Sequence, residues 1–315
     1  MHSRLYGVIF AFAALSGLSC SLLPAGTDPV EETASREGSG LGQSGDSESP
    51  KATSQTAEEQ LDAAAIFDRG RALYASGNYA LAIADFDLAI EQAPLDDEIY
   101  YYRGLAYYRM GDFAQAISNF DRAVALDAED PDAYLYRGRA YYRLGEFEEA
   151  IQQFDLAENI DPQAADLYYY RARAHYGLGD YRQAVADLDR AIELDPQNAT
   201  AYYYRGRAYY KIEAYFLTIA DEDAAIALDP TFAAAYYYRG RANYQVDAFT
   251  QAIADETEAI ALDPENAYAY FYRGRSHAKL GHREEAIADL EKAIELGLHS
   301  SYQEKAEVIL ASLGR

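Results

Sequence analysis

Arginine and tyrosine are the residue types in this chain whose spacing could do chemistry. Arg69, Arg103, Arg137, Arg171, Arg205, Arg239 and Arg273 recur every 34 residues. Two residues after most of them comes a second arginine: Arg71, Arg139, Arg173, Arg207, Arg241 and Arg275, with Leu105 standing in once. Tyr102, Tyr136, Tyr170, Tyr204, Tyr238 and Tyr272 lie three residues before this second site, and Tyr74, Tyr108, Tyr142, Tyr176, Tyr210 and Tyr244 lie three residues after it. The chemistry open to such a set is recognition. An arginine fork holds a carboxylate through two parallel N–H bonds, and a phenol offers stacking area with a polar tip. The carboxylates also recur in every repeat, which marks solvated faces. A unique acid–base pair would not appear seven times.

Catalytic signatures are missing from the sequence. There is no Gly-rich phosphate loop, nucleophile elbow, HExxH or paired cysteine motif. The histidines are His2, His175, His277, His282 and His299, and no two share a metal-ligand spacing on one helix face. The expectation is a chain that is not an enzyme and needs no cofactor or metal. With 52 acids against 27 bases the net charge is -25, which repels nucleic acid at long range.

The elements that must position the arginines and tyrosines are helices. Self-similarity at a fixed period of this length is the mark of a repeat array. Units start at residues 63, 97, 131, 165, 199, 233 and 267 and keep register without an insertion. The eighth residue of each unit is small: Gly70, Gly104, Gly138, Ala172, Gly206, Gly240 and Gly274. The twentieth is alanine except at Thr218, and the twenty-seventh is alanine throughout. Pro94, Pro162, Pro196, Pro230 and Pro264 mark the end of the second helix, and Gly77, Gly111, Gly145, Gly179 and Gly281 the turn inside the unit.

This unit resembles the tetratricopeptide repeat, and the resemblance covers residues 63–300. It implies an all-α fold, a right-handed superhelical solenoid of seven helix–turn–helix repeats (63–96, 97–130, 131–164, 165–198, 199–232, 233–266 and 267–300). Residues 301–315 then supply an amphipathic capping helix, with Ile309, Leu310 and Leu313 toward the last repeat and Glu304, Lys305 and Glu307 toward water.

The resemblance also implies that first helices line a concave groove, with unit positions two, five, six, nine, twelve and thirteen facing into it. On that basis the candidate groove residues are Tyr102, Tyr136, Arg139, Tyr142, Tyr170, Arg173, Tyr204, Arg207, Tyr238, Arg241, Tyr272 and Arg275. Most of the 27 bases and all but five of the 31 tyrosines fall in first helices. Glu98, Asp132 and Asp166 share the wall and reduce its positive potential. Two readings stay open for the ladder: a surface for a ligand with carboxylates, or a scaffold that stiffens neighbouring helices through cation–π contacts. The arginines at the seventh position are read as structural, facing Asp85, Asn119, Gln153, Asp187, Asp221, Asp255 and Asp289. The carboxylate clamp of chaperone-tail binders is not matched.

Repeats five to seven break the pattern. Glu222 and Glu256 occupy the position of Phe86, Phe120 and Phe154; Asn243 and His277 replace tyrosines; Glu213 and Asp247 replace turn glycines. Buried carboxylates are costly unless bonded. The expectation is a satisfied polar network or a more exposed face; a second binding surface or hinge stays open, and a metal site from Glu222, Glu256 and His277 has an incomplete ligand set.

Residues 1–20 read as an export signal, with Arg4 before an apolar stretch from Leu5 to Leu15. The ending Ser16-Gly17-Leu18-Ser19-Cys20 resembles a bacterial lipoprotein signal, in which the cysteine carries the acyl chains. Gly17 stands where that family prefers Leu, Val or Ile, and small residues at 17 and 19 equally suit ordinary cleavage. Residues 21–62 read as a disordered acidic Ser-Gly linker. The expected protein is extracytoplasmic, lipid-anchored at Cys20 or else secreted or periplasmic. It is an envelope scaffold holding an extended peptide or protein segment that carries carboxylates. The alternatives are a binder of an anionic small molecule or envelope polysaccharide, and a spacer without a groove ligand.

Overall fold

The computed structural model describes residues 61–315. The export signal, Cys20 and nearly all of the linker lie outside the described residues. Among the described residues there are fifteen helices and no strand.

The first helices are α1 (Ala63–Ala75), α3 (Asp97–Met110), α5 (Pro131–Leu144), α7 (Ala165–Leu178), α9 (Ala199–Lys211), α11 (Ala233–Gln245) and α13 (Ala267–Leu280). The second helices are α2 (Tyr79–Gln92), α4 (Phe113–Leu126), α6 (Phe147–Ile160), α8 (Tyr181–Leu194), α10 (Tyr215–Leu228), α12 (Phe249–Leu262) and α14 (Arg283–Glu295), and α15 (Ser300–Ser312) closes the array. Each helix packs on its neighbours in sequence. The result is an all-α solenoid of helix–turn–helix repeats.

Local chemistry explains the helix ends. In the second unit α3 stops at Gly111, whose φ of 82° is the left-handed conformation that glycine adopts without a Cβ penalty. Asp112 then caps α4 by accepting a bond from the Gln115 N–H at 3.1 Å. Between units the aspartate after the second helix folds the chain back: Asp127 accepts from Glu129 N–H at 2.9 Å, and Asp161, Asp195, Asp229 and Asp263 repeat the contact.

Small residues set how close the two helices of a unit approach. A Cβ added to Gly104 would lie 2.7 Å from the Phe120 ring, and the same holds for Gly70 against Phe86 and Gly138 against Phe154. Those three rings are fully buried, as are the facing Ala82, Ala116 and Ala150. Each buried phenylalanine contributes about 2–3 kcal/mol of hydrophobic stabilisation. The missing Cβ is what lets the ring sit there.

At the far end α15 buries Ala306 and Leu310 against the last unit. Tyr302 packs edge-on against Phe271, centroids 5.3 Å apart. Ile309 and Leu313 are half-buried, while Glu304, Lys305 and Glu307 are exposed.

Candidate partner-binding groove

Curvature follows from which helices touch. Successive first helices contact one another along the whole array, from α1 with α3 to α11 with α13. Successive second helices, among the described residues, do not. The array therefore bends toward its first helices, and these form the inner wall.

On that wall every sequence-derived candidate except Tyr102 joins one structure. From the third unit onward arginine and tyrosine alternate. Arg139 lies 4.3 Å from the Tyr170 ring centroid, and Tyr170 lies 5.7 Å from Arg173. Tyr204 stands between Arg173 at 4.9 Å and Arg207 at 5.2 Å. Tyr238 stands between Arg207 at 5.4 Å and Arg241 at 5.1 Å, and Tyr272 between Arg241 at 5.1 Å and Arg275 at 5.5 Å. Tyr136 starts the run, 4.6 Å from Arg139. Leu105 interrupts it, leaving Arg71 over Tyr102 as a separate pair at 4.9 Å.

The twelfth-position tyrosines close each cation from the preceding unit. Tyr142 covers Arg173 at 4.9 Å, Tyr176 covers Arg207 at 4.9 Å, and Tyr210 covers Arg241 at 4.4 Å. Each of these three guanidinium groups thus meets rings from three consecutive units. A desolvated cation–π contact is worth on the order of 2 kcal/mol, so the stack ties unit to unit. Enclosure goes furthest at Arg139 and Arg173, which are 8% and 9% exposed. Tyr170 and Tyr272 are also buried; the other candidates are half-buried. The sequence reading gave these arginines to a ligand, with helix stiffening as the alternative; the structure gives them internal aromatic partners and leaves tyrosine surface and guanidinium edges on the wall.

Burial favours the neutral form of the enclosed phenols. Burial pushes the Tyr176 hydroxyl up to about 12, with the Arg207 charge opposing, and burial raises Tyr101, Tyr203 and Tyr237 as well. The wall offers hydroxyl donors and acceptors, not phenolate charge.

The seventh-position arginines serve the frame. Arg205 takes Asp221 on α10 with two bonds of 2.9 and 2.6 Å, and reaches back to Asp189 on α8 at 2.7 Å. Arg171 and Arg239 repeat this pattern with Asp187 and Asp155, and with Asp255 and Asp223. Arg103 and Arg137 use Asn119 and Gln153 in the place of the first aspartate. One side chain therefore fastens its own helix pair and the preceding one. The backward half of this clamp, the carboxylate on the preceding second helix, was missed by sequence reasoning. Its signal is the recurrence of Asp87, Asp121, Asp155, Asp189 and Asp223 at the same 34-residue spacing.

Two polar positions depart from the sequence-based expectation. Glu222 and Glu256 are fully buried, and none of their carboxyl oxygens has a hydrogen-bond partner. They are neither solvent-facing nor part of a satisfied network. Burial holds both carboxyls well above the ordinary 4.5, against the pull of nearby arginines, and so favours the neutral acid at both positions. The physical reason is position: each fills the gap beside its unit's glycine where Phe86, Phe120 and Phe154 sit in the first three units. Asn243 instead bonds Asp255 at 2.8 Å. Among the described residues no group of three or more His, Cys, Asp or Glu side chains is placed to hold a metal ion. His277 and His282 meet across the Gly281 turn, Nδ1 to Nδ1 3.1 Å. That pairing was invisible as a spacing on one helix face, because it joins the last turn of α13 to the residue that precedes α14.

Family models for the tetratricopeptide repeat match residues 101–165, residues 70–111 and 173–212, and residues 267–297. The chain belongs to the tetratricopeptide repeat family. Solved tetratricopeptide proteins share the fold. One from Cytophaga hutchinsonii, a C-terminal part, is 20% identical with a TM-score of 0.63, covering 76% of this chain and 98% of its own. One from Parabacteroides merdae is 18% identical with a TM-score of 0.58, covering 80% and 99%. YrrB, described as a tetratricopeptide protein with an unusual peptide-binding site, is 23% identical with a TM-score of 0.53, covering 60% and 97%. At these identities the likeness is one of fold. No curated protein matches the chain. As a tetratricopeptide array, the chain has the architecture of a protein–protein interaction scaffold.

Proposed function

We propose that this tetratricopeptide protein holds an extended segment of a partner protein against its inner wall, in the bacterial cell envelope. The observation that carries the reading is the unbroken alternation of arginine and tyrosine from Tyr136 to Arg275. Rings already locked by cations lose little freedom when a ligand arrives, so contact area converts to affinity with a small ordering cost. Neutral hydroxyls along the wall suit the backbone amides of an extended chain, and guanidinium edges suit its carboxylates. A peptide-binding site on YrrB, which shares the fold, is consistent with this use. The envelope location rests on the apolar leader and on Cys20, placed as in a lipoprotein signal.

A photo-reactive phenylalanine analogue tests the groove when introduced in the full chain at Tyr176 or Tyr210, with controls at Gln183 and Gln251, exposed on the second helices. The expected outcome is a discrete protein adduct from the two inner positions only. Adducts confined to the outer positions would move the binding surface elsewhere. For the location, incorporation of a labelled fatty acid should vanish in Cys20→Ser; a chain that never takes up label is not lipid-anchored.

A further inference from the structure

The inner wall is not uniform along its length. The second residue of the first helix is Glu98, Asp132 and Asp166 in units two to four, and Thr200, Ala234 and Tyr268 in units five to seven. Asp166, an exposed residue, lies in the field of Arg139 from the preceding unit, which favours its charged form. The repeat then fixes what occupies the same place two and three units later. Over Arg207 the residue is Ala234, and over Arg241 it is Tyr268. Neither can supply a charge.

Arg207 and Arg241 therefore keep a cation that the chain itself leaves unmatched on this face. Among the described residues no ion pair reaches either, and their Nε atoms are buried without a hydrogen-bond partner. Both side chains nevertheless keep partial exposure. Behind them, Glu222 lies in the field of Arg207 and Glu256 in that of Arg241, but both are fully buried without a hydrogen-bond partner, which favours their neutral form. Asp221 and Asp255 are committed to Arg205 and Arg239.

We infer that units five to seven form the anion-accepting part of the groove, where an acidic stretch of an extended peptide places carboxylates over Arg207 and Arg241 as Asp166 stands by Arg139. This rests on the reading of the groove as a peptide site and adds a ligand class and a direction to it. Glu98, Asp132 and Asp166 repel the same stretch from units two to four, so the acidic part of the peptide lies toward α13.

The chain contains no tryptophan, so a tryptophan-tagged peptide reports binding through its own fluorescence. The probes are Trp-Glu-Glu-Glu-Glu and Trp-Gln-Gln-Gln-Gln, titrated against the full chain at low salt. The glutamate probe should bind at least about tenfold more tightly. Ala234→Asp restores the carboxylate that the repeat has lost; it should weaken that probe about tenfold and leave the glutamine probe unchanged. An aspartate in the first turn of α11 favours the helix, so the variant stays folded. Asp166→Asn should strengthen the glutamate probe by opening a place at Arg139. Equal binding of the two probes, or indifference of the glutamate probe to Ala234→Asp, overturns the inference. If photo-adducts still form from Tyr176 and Tyr210 in that event, only the acidic ligand class falls; if those are lost too, the groove reading falls with it.

Discussion

Glu222 lies against Gly206 so closely that a Cβ on the glycine would fall 2.6 Å from the carboxyl Oε1. Glu256 stands in the same relation to Gly240, at 2.7 Å. In the first three units that space belongs to a phenylalanine ring. The fold has accepted two uncompensated acids at positions built for apolar side chains, and it tolerates them only as neutral groups.

Stability should therefore fall as pH rises. Both carboxyls are raised well above 4.5 in the folded protein, whereas in the unfolded chain they ionise near that value. Above it the unfolded state binds fewer protons than the native one, and each residue erodes stability by about 1.4 kcal/mol per pH unit until its own folded-state titration is reached. The thermal midpoint should decline from pH 5 to pH 8, and Glu222→Gln with Glu256→Gln should flatten that profile. Asp187, Asp221 and Asp255, also raised by burial, act with the same sign and persist in the variant. Parallel profiles for the two proteins would show that the glutamates are not the cause.

Gly104→Ala should cost about 1–3 kcal/mol in urea unfolding, because the new Cβ meets the buried Phe120 ring at 2.7 Å and the ring has no space to retreat. Gly104→Ala combined with Phe120→Leu should recover part of the loss. A variant as stable as the parent would mean that the helix pair can move apart freely.

Glu213 and Asp247 carry φ angles of 63° and 59° at turns where other units place glycine. A left-handed backbone costs a side-chain-bearing residue about 1–2 kcal/mol. Glu213→Gly and Asp247→Gly should each raise the urea midpoint by an amount worth about 1 kcal/mol. Lower midpoints would point to side-chain contacts that outweigh the strain.

Arg171→Ala should be far more damaging than Asp155→Ala. The arginine holds buried Asp187 through bonds of 3.0 and 2.8 Å and reaches half-exposed Asp155 at 2.7 Å. Without it Asp187 is an uncompensated buried charge, a loss of about 3 kcal/mol or more. Without Asp155 the solvent-screened half of the clamp goes, a loss of about 1 kcal/mol or less. Chemical denaturation of the two variants separates these values, and similar losses would contradict the division of roles.

The sequence by itself determined the repeat, its helix–turn–helix unit and the structural part of the arginines at the seventh position. Glycine at position eight, alanine at twenty and twenty-seven, and the turn glycines act within one unit, over distances that a 34-residue pattern encodes directly. It also showed that the bases and phenols share first helices. What it could not decide is how each side chain meets the unit before and the unit after. Enclosure of Arg207 depends on Tyr176, Tyr204 and Tyr238, three residues from three units, brought together only by the rise and bend of the stack. The sequence likewise marked Glu222 as irregular, but its burial without a partner was settled by close packing against Gly206. Local patterns fix the elements, because their forces act over a few residues. The fate of a charge depends on what surrounds it on every side, and only the assembled array supplies those surroundings.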